Sequence, residues 1–239
     1  MKKTILVVTG LILLSSGVGF AAGGEGAEHL AKLEKGDFAE REKAVVMLNR
    51  HKKKTLDKEV YATAADLLEK ETERSRRAFD LLMEDKDAEL PEELSYIKDE
   101  KRFGKYMERL GAIVSKSGDG SYLPLVLNNR LDPRSIVNFG DDAVDPVINI
   151  LEDPGAGSHE KEYALRILGD MLRPKKDGYV AGGGKRNNIK EALKKSASGD
   201  DFSVARGSVK ALRMSGDKDA KAFRPDMSKM KRSRYGKKK

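Results

Sequence analysis

Five separate stretches of this chain carry apolar residues at helical spacing, and no useful length shows the strict alternation of a half-buried strand. In "AVDPVINILED" the residues Val144, Val147, Ile148 and Leu151 lie at i, i+3, i+4 and i+7. Ala164, Ile167, Leu168 and Met171 do the same in "HEKEYALRILGDM", as do Tyr61, Ala64, Ala65 and Leu68 in "VYATAADLLEK". Ile189, Ala192 and Leu193 line a fourth segment, and Ala205, Val209 and Leu212 a fifth. A helix with one apolar stripe is stable only when that stripe meets another element. Such a chain must therefore build its core from helix against helix. Between the segments stand turn sequences at 116–121, 152–158, 196–201 and 214–219, several with an Asp or Ser where a helix N-cap belongs. The expected unit is an antiparallel hairpin of short helices. Residues 56–84 read as one longer helix with "EKETERSRR" as a solvated middle, or as two helices that the pattern does not separate.

Composition favours a thin, layered protein. Hydrophobic residues make up 38% of the 239, charged residues 36%, and there is no tryptophan, which is lean for a thick globular core. There is also no cysteine, so disulfides and thiolate metal sites are excluded, and stability must come from buried apolar surface.

Two segments far apart nearly repeat one another: "GDFAEREKAVVML" at 36–48 and "GDDFSVARGSVKAL" at 199–212. Both follow a turn with a small residue four places before a large apolar one, Ala44 with Leu48 and Ser208 with Leu212. Residues 158–169 repeat the layout with Ala164, Leu168 and Gly169, and "DPRSIVNFG" repeats it more weakly with Ser135, Phe139 and Gly140. The small residue permits close approach of a neighbouring helix, and the large one fills the space between layers. A period of about 30–45 residues is the mark of stacked two-helix units.

On these residues the chain resembles HEAT-repeat proteins, the helix–turn–helix units of α-solenoids. In "VARGSVKALR" the positions Val204, Ser208, Val209, Ala211 and Leu212 fit the family's second helix, with Arg206 one place late and Arg213 in place of glycine. In "EKEYALRILG", Ala164, Ile167, Leu168 and Gly169 fit, with Lys161 at the usual arginine. In "EREKAVVMLN", Arg41, Ala44 and Leu48 fit, and "DPVINILED" resembles the first helix. The match is best over residues 122–218 and patchy over 25–116. The resemblance implies an all-α, irregular, HEAT-like α-solenoid of antiparallel helical hairpins. Residues 173–188, "RPKKDGYVAGGGKRNN", read as a flexible insertion that lengthens one repeat.

Both ends differ from the body. Lys2 and Lys3, an apolar run from Ile5 to Leu14 and small residues at Gly19–Ala22 follow the layout of a secretory signal peptide, with cleavage expected after Ala21. The expected location is the periplasm or the extracellular space, with no transmembrane span once the leader is removed. Residues 4–224 carry 38 basic and 38 acidic side chains, whereas 225–239 carry a net +6. The division is therefore a signal peptide at 1–21, an N-terminal helical region at 22–116, HEAT-like repeats at 117–224 and a disordered basic tail at 225–239.

No catalytic set is legible. His29, His51 and His159 are scattered, and no pair has the spacing of a helical metal site. "GYVAGGGKRN" lacks the Walker pattern, with Tyr179 and Arg186 at two required positions. The acidic runs at 84–93, 139–145 and 198–201 lack the calcium-loop layout, and Asp141, Asp142 and Asp145 read as helix caps and dipole partners. No cofactor or metal is expected. The expected function is a non-enzymatic, exported scaffold that binds a protein or peptide partner through its solenoid surface. Candidate contacts are Lys175, Lys176, Lys185 and Arg186 in the insertion. In the tail they are Lys229, Lys231, Arg232, Arg234, Tyr235, Lys237, Lys238 and Lys239. One alternative is an envelope-associated protein held to an anionic surface by that tail, with nucleic acid disfavoured by export. The other is an enzyme with a dispersed acidic site.

Overall fold

The structure, a computed structural model, describes residues 25–52, 55–85, 89–173 and 181–225. The leader, residues 226–239 and Lys175 and Lys176 lie outside the described residues. Among the described residues all regular elements are helical and no strand is present. The protein is all-α.

Local sequence sets the helix boundaries. Helix α1 (Glu25–Lys35) and α2 (Phe38–Leu48) are joined by a two-residue turn. There the Asp37 carboxylate accepts from the Glu40 amide at 2.8 Å, and the Glu40 carboxylate accepts from the Asp37 amide at 3.1 Å. This reciprocal cap satisfies two of the donors that a helix start leaves over. Helix α3 (Lys58–Glu84) is one unbroken helix of 27 residues, which settles the choice between one helix and two. A 3-10 segment, Glu92–Lys98, leads to α4 (Glu100–Lys116), whose N-cap is Asp99.

After a 3-10 turn at Gly120–Tyr122 come α5 (Leu123–Asn128) and α6 (Pro133–Ile136), followed by a third 3-10 stretch at Val137–Ala143. Here the weakest repeat copy, "DPRSIVNFG", departs from a full helix. Pro133 starts α6, and Gly140, at φ 70° and ψ −138°, breaks the helical path seven residues later. Helices α7 (Val144–Glu152), α8 (Ser158–Leu172), α9 (Gly183–Ala197), α10 (Phe202–Met214) and the short α11 (Lys218–Ala222) complete the chain. Asp201 caps α10 by accepting from the Ser203 and Val204 amides at 2.8 and 3.2 Å.

The helices pack in two series. Helix α1 packs on α2, α3 on α4, α7 on α8 and α9 on α10. Sideways, α2 packs on α4, α4 on α6, α6 on α8 and α8 on α10, so the even-numbered helices are successive neighbours from one end to the other. On the odd side α1 packs on α3 and α7 on α9. The small–large pairs read from the sequence sit in this layering. Ala44, Leu48, Ala164, Leu168, Ser208 and Leu212 are fully buried, and Ser135 and Phe139 nearly so. Close approach is visible at Gly169, where a Cβ would stand 3.1 Å from Met214 Sδ and 3.3 Å from Ala211 Cβ on α10. One hydrophobic cluster runs from Leu33 in α1 to Ala220 in α11, crossing Lys116 without a break. Each large side chain in it contributes about 1.5–3 kcal/mol relative to exposure. A smaller cluster of Ala78, Leu90 and Leu94 fixes the far half of α3 to the first 3-10 segment.

Gly140 resists substitution, as do Gly118 and Gly216, because its positive φ lies where L side chains are strained. Gly140→Ala is expected to lower stability by about 1–3 kcal/mol, read as a lower urea midpoint with an unchanged helical circular-dichroism spectrum at zero denaturant.

Candidate functional site

Of the sequence-nominated contacts, Lys185 and Arg186 are described, and they fall in the first turn of α9. The Gly-rich stretch thus ends in helix and is only in part an insertion. The Gly182 amide points toward Asp141 Oδ1 at 3.5 Å, so the α9 start already faces a carboxylate. Asp142 lies beside Gly120. Neither aspartate caps α7, as the sequence had suggested; Ala143 holds that position, and Asp145 sits in the first turn.

Lys185 Nζ pairs with Asp145 Oδ2 at 2.5 Å. Arg186 donates through Nη1 to the Leu172 carbonyl at 3.1 Å and through Nη2 to the Ser215 carbonyl at 2.8 Å. Those two carbonyls belong to the ends of α8 and α10. One guanidinium therefore closes two helix C-termini, where a cation is favoured by both hydrogen bonding and the helix dipole.

The same pair of helices, α7 and α9, forms an open groove of about 580 Å³. Helix α7 supplies Asp145, Ile148, Asn149 and Glu152, at i, i+3, i+4 and i+7. Helix α9 supplies Asn188, Glu191, Ala192 and Lys195 at the same spacing. Two matching stripes thus face one another over seven residues, or about 10 Å of helix. Ile148 and Ala192 are the more buried of these residues and form an apolar floor. Ion pairs cross the groove, Lys185 with Asp145 near its start and Lys195 with Glu152, at 2.9 Å, near its end. Asn149 and Asn188 are exposed, and among the described residues neither side-chain amide has a hydrogen-bond partner. Glu191 likewise has no ion pair there. The sequence reading named Ile148 and Ala192 only as residues of apolar stripes and Asp145 only as a cap, and did not single out Asn149, Glu152, Asn188, Glu191 or Lys195. The signal that would have found them is the polar stripe beside each.

A second polar constellation was hidden by the pattern. The middle of α3 reads as solvated, yet Glu71 is fully buried, because α2 and the 92–98 segment both pass over it. Its Oε1 accepts from Arg74 at 2.8 Å and Arg41 at 3.3 Å, and its Oε2 from the Tyr96 hydroxyl at 2.5 Å. Arg41 also donates to the Gly36 carbonyl at 3.0 Å. Around them Phe38 stacks on Tyr96 at 4.3 Å and meets Tyr106 edge-on at 5.0 Å. Arg102 lies 5.1 Å over Phe38 and grips Glu42 through Nε and Nη2, at 2.9 and 2.8 Å. The Tyr106 hydroxyl and Arg41 Nε are both buried, and among the described residues neither has a partner at hydrogen-bond geometry. Burial, then the hydrogen bond to Glu71, push the Tyr96 phenol up to about 12. Burial and the charge of Glu71 also raise Tyr106. Every charged member of the cluster is answered by another, so its chemistry is positional: it fixes α2, α3 and the first 3-10 segment together.

Among the described residues no group of three or more His, Asp or Glu has the arrangement of a metal site, and no helix is long and apolar enough to cross a membrane. No protein-family model matches the sequence, and no match to it was found among curated proteins or solved structures.

Two outcomes are expected for the Glu71 cluster. Glu71→Leu strands Arg41 in the interior and is expected to cost about 3–5 kcal/mol, measured by urea unfolding. The phenol of Tyr96 holds its proton more tightly folded than unfolded. Between its ordinary value of 10 and about 12 the unfolded chain therefore binds fewer protons, and stability falls as pH rises. Tyr96→Phe is expected to reduce that alkaline loss in a pH series of unfolding curves, leaving the part due to Tyr106 and Tyr163, which burial also raises.

Proposed function

We propose that this protein is a non-enzymatic helical scaffold that binds an extended peptide segment of a protein partner along the α7–α9 groove. In the same reading the stacked hairpins form an irregular α-solenoid of the HEAT-like type. The unbroken neighbour series of even-numbered helices supports that architecture, as does the recurrence of a small–large pair at equivalent burial in α2, α8 and α10.

The observation that carries the binding role is the pair of unpartnered amides, Asn149 and Asn188, above an apolar floor. A primary amide offers two donors and an acceptor, which complement the N–H and C=O that an extended backbone presents. The acids Asp145, Glu152 and Glu191 line the same groove, so a peptide carrying Lys or Arg is preferred over an acidic one. The groove length accommodates about three or four extended residues. The leader-like first 21 residues alone support the further part of the reading, that this work is done in the periplasm or outside the cell. A second reading, attachment to an anionic envelope surface, draws on the net +6 of residues 225–239.

Selection of peptides from a displayed random library against the full chain tests the groove. The selected sequences are expected to be rich in Lys and Arg. Their affinity is expected to fall roughly tenfold or more in Asn149→Ala/Asn188→Ala, as two lost hydrogen bonds require. Both side chains are exposed, so the melting temperature stays unchanged. Equal affinity for the double variant refutes the groove as the site.

A further inference from the structure

We propose that the α7–α9 groove is occupied, when no partner is bound, by the chain's own basic segment, residues 226–239. The segment then acts as an internal stand-in for the partner peptide. This rests on the groove being a peptide site.

Charge is the first argument. Between Arg134 and Lys161 there is no Lys or Arg, and there are six acids: Asp141, Asp142, Asp145, Glu152, Asp153 and Glu160. All but Glu160 are exposed. Helix α7 and its two turns thus contribute acids and no Lys or Arg of their own, and two of the acids, Asp145 and Glu152, are groove residues. Lys185 and Lys195 answer those two, while Glu191 adds a further unpaired acid from the opposite wall. Residues 226–239 hold seven basic side chains against one acid, Asp226. In an extended segment Arg232 and Arg234 fall on the same side, so one strand presents two guanidinium groups together to the α7 wall.

Reach is the second. Lys190 of α9 is paired with Asp217 at the start of α11, and Phe223, just past α11, packs against the main core. The start of α11, eight residues before Pro225, is therefore held against α9. Asn188 and Glu191, on the groove side, flank Lys190 in the same helix. The path crosses one helix, about 10–12 Å wide, whereas fourteen extended residues span up to about 45 Å. The other strongly acidic stretch in the sequence, residues 84–93, begins at the last residue of α3, a helix that packs on α1 and α4 and not on α9 or α11.

The absence of native cysteine makes a direct test clean. In the full chain, Asn188→Cys/Ser233→Cys is expected to form an intramolecular disulfide at low micromolar protein. It should form at least tenfold faster than the control Ser95→Cys/Ser233→Cys, and the difference should vanish at about 0.5 M salt. Equal rates for the two pairs overturn the assignment. So does a disulfide that appears only between two molecules, which would place the segment in a second copy.

A labelled peptide of residues 226–239 provides the other arm. It is titrated against the full chain and against Lys229→Gln/Lys231→Gln/Arg232→Gln/Arg234→Gln. A tethered competitor acts at an effective concentration in the millimolar range, so binding to the unmodified chain is expected to be roughly tenfold weaker or more. Equal binding to both chains overturns the resident segment and leaves the groove reading standing. Binding to neither overturns the segment's assignment, and the selection against Asn149→Ala/Asn188→Ala then decides the groove separately.

Discussion

Single-stripe helices that need neighbours on two sides are the constraint on which everything else here depends. Apart from the six-residue α5, none of the α-helices described is apolar all round, and α5, α6 and α11 are too short to persist alone. Stability is therefore collective. The even-numbered series α2, α4, α6, α8 and α10 supplies the continuity, and the close approach at Gly169 shows how tightly two of its members meet. At α6, with four residues, the series survives because Leu131, Ile136 and Phe139 fill the space that a longer helix would otherwise occupy. Gly111 on α4 makes room for this, since a Cβ there would stand 2.0 Å from Leu131 Cδ1.

The Glu71 cluster compensates for a core that is lean in large apolar groups. Removing a carboxylate from water is costly, and here the cost is offset by two guanidinium groups and a phenol. What the arrangement adds is specificity of placement. Three elements from separate parts of the chain must meet for the carboxylate to be satisfied, so α3 has one register against α2 and against residues 92–98. Arg186 plays a comparable part at the other end of the molecule, closing α8 and α10 with a single side chain. In both cases a charged residue in register with an apolar stripe, Glu71 three places after Leu68 and Arg186 three before Ile189, is a fastening.

The groove between α7 and α9 has the opposite character. Its amides have no partner among the described residues, its acids outnumber its lysines, and its ion pairs span an open channel. Polar groups within the Glu71 cluster satisfy each other, whereas those in the groove are left for something else to satisfy. That contrast is why the proposed partner site is placed here. The long α3 carries another exposed feature, Phe79 and Met83 at 61% and 66% accessibility, but two side chains make too small an apolar patch to define a partner.

Sequence by itself determined that the protein is helical, where its turns fall and which small–large pairs are buried. These follow from periodicity and capping, which are local and survive in one dimension. Ala44 with Leu48, Ala164 with Leu168 and Ser208 with Leu212 were legible for that reason. What only the tertiary structure decided is the fate of the charged residues. Glu71 sits in a run whose composition reads as solvated helix, and although it continues the stripe of Ala64 and Leu68, its burial depends on Arg41 and Tyr96, 30 and 25 residues away. Lys185 and Arg186 share one basic motif, yet the fold places Lys185 across a groove and Arg186 over two helix ends. The polar stripes of α7 and α9 are each visible in sequence, but nothing local indicates that they face one another. A charge takes its role from its partners, and the partners are chosen by packing.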